Sequence, residues 1–345
     1  MGMILYTYPF ADRTLQFERN WCPKIYPYTQ SVNRVKRRLD PFEYTSLCET
    51  ISEIKELPQS KMSFDDMCLS TADKLNRTVD KNIYLYYSGG MDSAAVLLSL
   101  RKVMTPKQLE RVYVVASHHS ALEFPELWTE IYYQFSGRIL NSYQNMEDLA
   151  RKGIVLTGQH ADHLLGSDNI RRVYDRHGDA GINMPWRDAM LPIYTDMFGL
   201  DVAKNFIEVY GETTEECPFP IVTAFDWVWW FGFTNKWQHA KYKFLGYKPW
   251  KNPKSTYKNV VHFFDTPEWQ KWSLDNHDLK TVSKLSDYKH TIRDFVVRES
   301  GYDSYRKKKK ESSLRMLWYN KEFAYGIADD FSELTKEQSL EFIGR

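Results

Sequence analysis

Ser88-Gly89-Gly90-Met91-Asp92-Ser93 stands between an aromatic, β-branched run, "NIYLYY", and an alanine- and leucine-rich run, "SAAVLLSLRKVM". Glycine accepts φ > 0 and lets backbone approach a ligand closely. The N–H groups that open a helix are unpaired and carry partial positive charge. A strand, a glycine turn and a helix in that order therefore make a cradle for phosphate. Ser88 and Ser93 add hydroxyls. Asp92 would repel a bare phosphate, and its place is explained if a magnesium ion lies between the two. The stretch is neither G-x-x-x-x-G-K-[ST] nor G-x-G-x-x-G. An ordinary turn capped by Ser and Asp is the plain alternative, and two adjacent glycines are hard to explain by capping alone.

The elements that would hold this turn can be read along the chain. Ser63 can cap a helix over Ser63–Val79, with Asp65 and Asp66 in its first turn. "NIYLYY", "RVYVVAS" (Arg111–Ser117) and "GIVLTG" (Gly153–Gly158) read as strands buried on both faces. Helical runs follow each, among them "FPELWTEIYYQF" (Phe124–Phe135) with a proline near its start. This alternation predicts an α/β fold with a doubly wound parallel sheet, whose ligands bind at the carboxyl ends of strands. Two such ends carry "SGGMDS" and "TGQHAD", which point to one crevice.

Beyond residue 175 helical signals dominate, at 198–211, 220–245, 267–275, 286–300 and 329–343, with few strand signals. The expected organisation is a cap over 1–62, an α/β core over 63–175 and a mainly helical C-terminal region over 176–345. Within the last, Trp227, Trp230 and Phe231 are spaced for one helix face, a pattern more often core than ligand box. Lys236 or Gln238 reaching a substrate would be the functional reading of that stretch.

The 345 residues are 43% hydrophobic and 26% charged, with a formal net charge of +1, a soluble globular composition. That balance gives no global drive toward nucleic acid or an anionic membrane. Cys22, Cys48, Cys68 and Cys217 form no C-x-x-C pair, which fits a reducing compartment and a cytoplasmic location. "MGMILYTYPFADR" lacks the features of a signal peptide, and Tyr6 replaces the Ser or Thr of a myristoylation signal. The most apolar run, "FDWVWWFGF", is too short to cross a bilayer.

"SGGMDS" resembles the S-G-G-x-D-S pyrophosphate loop of the N-type ATP pyrophosphatases. "VLTGQHADHLLGS" (Val155–Ser167) resembles the asparagine synthetase motif G-E-G-x-D-E-L-F-G, with Gly158, Asp162, Leu164 and Gly166 matching. "HFFDTPEWQKWSL" (His262–Leu274) is similar to that branch's P-F-L-D segment, although a core aromatic segment is the plainer account of it alone. "DYKHTIRDFVVRESGYDSYRKKKKESS" (Asp287–Ser313) resembles its late basic motifs, placing Lys289, Arg293, Arg306 and Lys308. The usual meaning of such a cationic run is a solvated face.

The resemblance implies an adenine nucleotide alpha-hydrolase-like sheet and the cofactors ATP and Mg2+. Ser88, Gly89, Gly90 and Ser93 would hold pyrophosphate, and Asp92 and Asp162 magnesium. Lys308, or Lys310 in a shifted register, would stabilise charge at the α-phosphate. Adenine would lie against the backbone near Tyr86, Val115 and Gly158. The implied reaction activates a carboxylate as an acyl-adenylate that ammonia or an amine then attacks, with aspartate the default acid by analogy alone.

Departures qualify that inheritance. Residue 2 is Gly, where a glutaminase domain would carry its cysteine, so the nitrogen would be free ammonia, ammonia from a separate partner, or another amine. Gln159 stands at the family's acidic position and cannot accept a proton. His160 and His163 can near neutral pH, although polar pocket wall is the plainer reading of both. Two other readings stay open. "TGQHAD" faintly echoes tRNA-lysidine synthetases, and a basic run among many Tyr and Trp could bind RNA. Alternatively, Gln159 suggests a non-catalytic nucleotide-binding relative.

Overall fold

A computed structural model describes residues 49–142, 146–237, 256 and 258–307. Most of the expected cap, the helix expected at 329–343, and Gln238, Lys308 and Lys310 lie outside the described residues. The chain divides into two compact units. The described residues of the sheet unit fall within 62–159, 250–265 and 291–345, and those of the helical unit within 1–61, 160–249 and 266–290. The chain thus enters the sheet unit three times rather than passing once from core to helical region.

The sheet unit holds five strands: β1 (Asn82–Tyr86), β2 (Val112–Ala116), β3 (Ile139–Asn141), β4 (Gly153–Thr157) and β5 (Val260–His262). All pairs are parallel, in the order β3-β2-β1-β4-β5. This is the α/β class expected of the sequence. β1→β2→β3 runs one way from the centre and β4→β5 the other. Right-handed crossovers in opposite directions put helices on opposite faces of a sheet, and order reverses at β1/β4.

The strands match the apolar runs that announce them. Ile83, Leu85, Val112, Val114, Val155 and Leu156 are fully buried. β3 and β5 are the two strands the sequence pattern does not reveal. Each is three residues long, too short for a period to show. The helix Phe64–Thr78 begins as expected at Ser63, whose Oγ accepts the Asp66 N–H at 3.1 Å. Phe64 then packs on Phe264, just past β5, and on Phe295 of the helix His290–Ser300. The "HFFD" stretch is therefore core at Phe263 and Phe264, both fully buried.

The helical unit is built around tryptophan. Its helix Ala224–Phe231 continues into a π-helical turn, Gly232–Lys236, where the sequence suggested one long helix over 220–245. Trp227, Trp229 and Trp230 are fully buried, and Trp227 stacks on Trp186 at 4.0 Å. The aromatic stripe is core. Among the described residues no helix is long and apolar enough to cross a membrane.

Phe264→Ala would open a cavity between two elements of the sheet unit. It is expected to cost about 3–5 kcal/mol, read as a fall in the urea midpoint of unfolding.

Candidate functional site

β1 delivers the chain into the glycine turn. The Tyr87 N–H donates to the Val115 carbonyl at 2.8 Å, one last ladder bond beyond the strand. Two hydroxyls then shape the turn from inside. The Ser88 N–H donates to Ser93 Oγ at 3.1 Å, and the two hydroxyl oxygens are hydrogen-bonded at 3.1 Å. Ser93 Oγ donates to the Gly90 carbonyl at 3.0 Å, and the Gly90 N–H donates to Ser88 Oγ at 3.3 Å.

Gly89 has φ +77, and a Cβ there would fall 2.4 Å from the Ser120 carbonyl oxygen. Both its conformation and its space require glycine. Gly90 is the N-cap of the helix Met91–Val103, and no side chain caps that helix. Its first-turn N–H groups therefore face the turn with their partial charge unanswered by a capping side chain. Asp92 lies in that first turn, half-buried.

The exit of β4 closes the other side. A Cβ on Gly158 would lie 2.7 Å from the Asp92 carbonyl carbon and 2.9 Å from the Ser93 nitrogen. With no side chain at 158, the two backbones meet directly. In register across the sheet, Tyr86 lies between Val115 and Thr157. Tyr86 is half-buried, and burial pushes its phenol above its ordinary range, so it stays a neutral donor. Val115 is buried and offers only backbone. Thr157 Oγ1 bonds His262 Nδ1 at 2.6 Å at the ends of β4 and β5, and takes the Gln159 N–H at 3.3 Å.

Asp162 belongs to the helical unit, on the short helix Ala161–Leu164. There the Lys289 ammonium meets its Oδ1 at 2.5 Å and the Tyr288 hydroxyl donates to the same atom at 3.3 Å. Two left-handed residues frame this contact: His160, the N-cap of that helix (φ 76), and Lys289 itself (φ 60). Gly166 makes room for Tyr288, whose Cε2 would lie 2.6 Å from a Cβ at that position. His160 Nε2 donates to the Trp237 carbonyl at 2.8 Å and His163 Nε2 to the Lys236 carbonyl at 3.1 Å. Both bonds are made at the end of the π-helical turn. Lys236 pairs with Asp168 at 3.3 Å and holds that carboxyl below its ordinary value.

The structure thus brings together Ser88, Gly89, Gly90, Asp92, Ser93 and Gly158, with Tyr86, Val115 and Gln159 on the adjoining strand ends. Of the cations the sequence singled out, Lys289 is spent on Asp162, and Arg306 pairs with Asp294 at 2.5 Å and Asp303 at 3.4 Å. Among the described residues no group of three or more His, Cys, Asp or Glu converges on a metal position. An ion at the turn would complete its shell from phosphate oxygens and water, as magnesium commonly does. Tyr288, His262 and Tyr305 touch these features; they lie inside the stretches that resemble family motifs, but none of the three is singled out there. The sequence matches no protein-family model and no curated protein.

Burial, followed by the Lys236 charge, holds His163 down to about 4, against the opposing pull of Asp162 and Asp168. The folded value lies below the unfolded one of about 6.5, so the native state binds fewer protons between them. The contribution of His163 to stability is complete above about pH 6.5 and is lost as pH falls toward 4. Denaturant unfolding across that window should show a shallower pH slope for His163→Gln than for the wild type.

Proposed function

We propose that this chain is an ATP-dependent, AMP- and pyrophosphate-forming amide ligase, on an adenine nucleotide alpha-hydrolase-like sheet. One observation carries the reading: a glycine turn lined by two serine hydroxyls runs into a helix with no capping side chain, beside the order reversal of a parallel sheet. That is where open α/β sheets bind ligands, and an anion is what such a helix start prefers.

In this reading Gly89, Gly90 and the hydroxyls of Ser88 and Ser93 hold the leaving pyrophosphate. Adenine lies along the backbone at Tyr86, Val115 and Gly158. Asp92 is assigned to magnesium, which when bound would neutralise phosphate charge. Asp162, the other carboxylate that the family pattern implies for the metal, belongs to the helical unit and is paired there with the Lys289 ammonium. A carboxylate oxygen attacks the α-phosphorus and pyrophosphate departs. An amine then attacks the acyl carbonyl, the C–O bond to phosphate breaks, AMP departs, and the proton lost by the amine passes to departing AMP or to solvent water, since Gln159 is no base. Lys308, with Lys310 as its register alternative, is assigned to the α-phosphate. The acid and the amine are small molecules, and the ammonia comes from solution or from a partner.

Pyrophosphate release from Mg-ATP, measured against a panel of amino acids and other carboxylic acids with and without ammonium, tests this directly. At least one acid should elicit stoichiometric AMP and pyrophosphate. Asp92→Asn should lower that rate by about a hundredfold. ATP turnover to ADP and phosphate, or no acid dependence, would contradict the reading.

A further inference from the structure

The last described helix, Ser304–Lys307, does something the motifs do not assign. Its Tyr305 reaches back across more than two hundred residues, and its hydroxyl donates to the Gly89 carbonyl at 3.1 Å. The side chain is 5% exposed, and its ring packs on Phe124. Tyr87, fully buried one residue ahead of the turn, lies beside the same hydroxyl.

The contact is braced on both sides. Tyr302 donates to Glu130 at 2.6 Å, and Glu130 also pairs with Arg101 of the helix that follows the turn, at 2.8 Å. Three residues earlier Glu299 pairs with Lys102 of that helix at 3.1 Å. The chain from 299 to 305 is thus fastened along the helix Met91–Val103 and ends on the turn itself.

The chemistry of the peptide gives this contact a consequence. In a trans peptide the carbonyl and the N–H lie in one plane and point in opposite directions within it. The Gly89 carbonyl and the Gly90 N–H belong to one such plane. Tyr305 grips the first, and the second points to Ser88 Oγ at 3.3 Å. Two consecutive glycines offer little resistance to flipping that plane, because neither has a Cβ to restrict it. A phenylalanine would fill the same space on Phe124. The hydroxyl is buried at a cost that its contacts with the Gly89 carbonyl and the Tyr87 hydroxyl offset.

We propose that Tyr305 is a positioning residue for the glycine turn: it locks the Gly89–Gly90 peptide with the N–H on the hydroxyl-lined side, and so sets affinity for a pyrophosphate group. The inference rests on the pyrophosphate reading of the turn given above.

The test compares Tyr305→Phe with the wild-type full chain in equilibrium binding of inorganic pyrophosphate, Mg-ATP and AMP, alongside thermal unfolding. The loss of one hydrogen bond should weaken pyrophosphate and Mg-ATP about fivefold. AMP affinity should stay at its wild-type value, and the unfolding midpoint should fall by no more than one lost hydrogen bond accounts for. A purely structural tyrosine would weaken AMP as much as ATP. That result overturns the proposal, as does unchanged affinity for all three. A wild-type chain that binds neither pyrophosphate nor ATP sinks the reading of the turn, and this inference with it. Binding by the wild type with no response to Tyr305→Phe sinks the inference alone.

Discussion

The backbone of Gly158 lies against the backbone of Asp92 and Ser93, with no room for even one added carbon. Much of the sheet unit depends on that approach. β1 and β4 are neighbours because the strand order reverses between them. Their exits leave on the same edge, so the turn after β1 and the residues after β4 compete for one volume. At this contact the competition is settled by the missing side chain of Gly158, while Gly89 makes room for the Ser120 carbonyl and Glu123. Small hydroxyl residues at 88 and 93 then knit the turn from within. What is left is a turn of small residues at the start of a helix that has no capping side chain.

The helical unit solves a different problem, that of holding a carboxylate in a fixed place. Asp162 sits on a helix of four residues, too short to be stable by itself. It is held instead by what surrounds it. His160 enters the helix in a left-handed conformation and anchors its ring on the Trp237 carbonyl. Lys289, also left-handed and 5% exposed, closes on the carboxylate with Tyr288 beside it. Left-handed backbone at two residues thus flanks one carboxylate. The π-helical turn belongs to the same device. Its last carbonyls accept the Nε2 protons of His160 and His163, which fixes both ring tautomers.

How much of this was legible in the sequence follows from the range of each interaction. The three longest strands, the Ser63 cap and the glycine turn are local, and the residues that make them are adjacent in the chain. The tryptophan-rich helix was readable as core because its spacing repeats with the helix. β3 and β5 were not readable, being three residues each and defined by their partners rather than by their own pattern. The same holds for the side chains that touch the candidate site from far along the chain. Tyr305 to Gly89, His262 to Thr157 and Lys289 to Asp162 each join residues more than a hundred apart. A family pattern pointed to Lys289 as one cation among several. Its contact with Asp162 is a property of the fold alone.

The claim on which the rest stands is that the turn from Ser88 to Ser93 receives phosphate through its backbone. Amide resonances of the 15N-labelled chain, followed while inorganic pyrophosphate and then Mg-ATP are added, test that most directly. The account predicts that the Gly89, Gly90, Met91 and Ser93 amides shift first and furthest, with Gly158 following. Saturating ligand that leaves those amides in place, or that moves only resonances elsewhere, would contradict it.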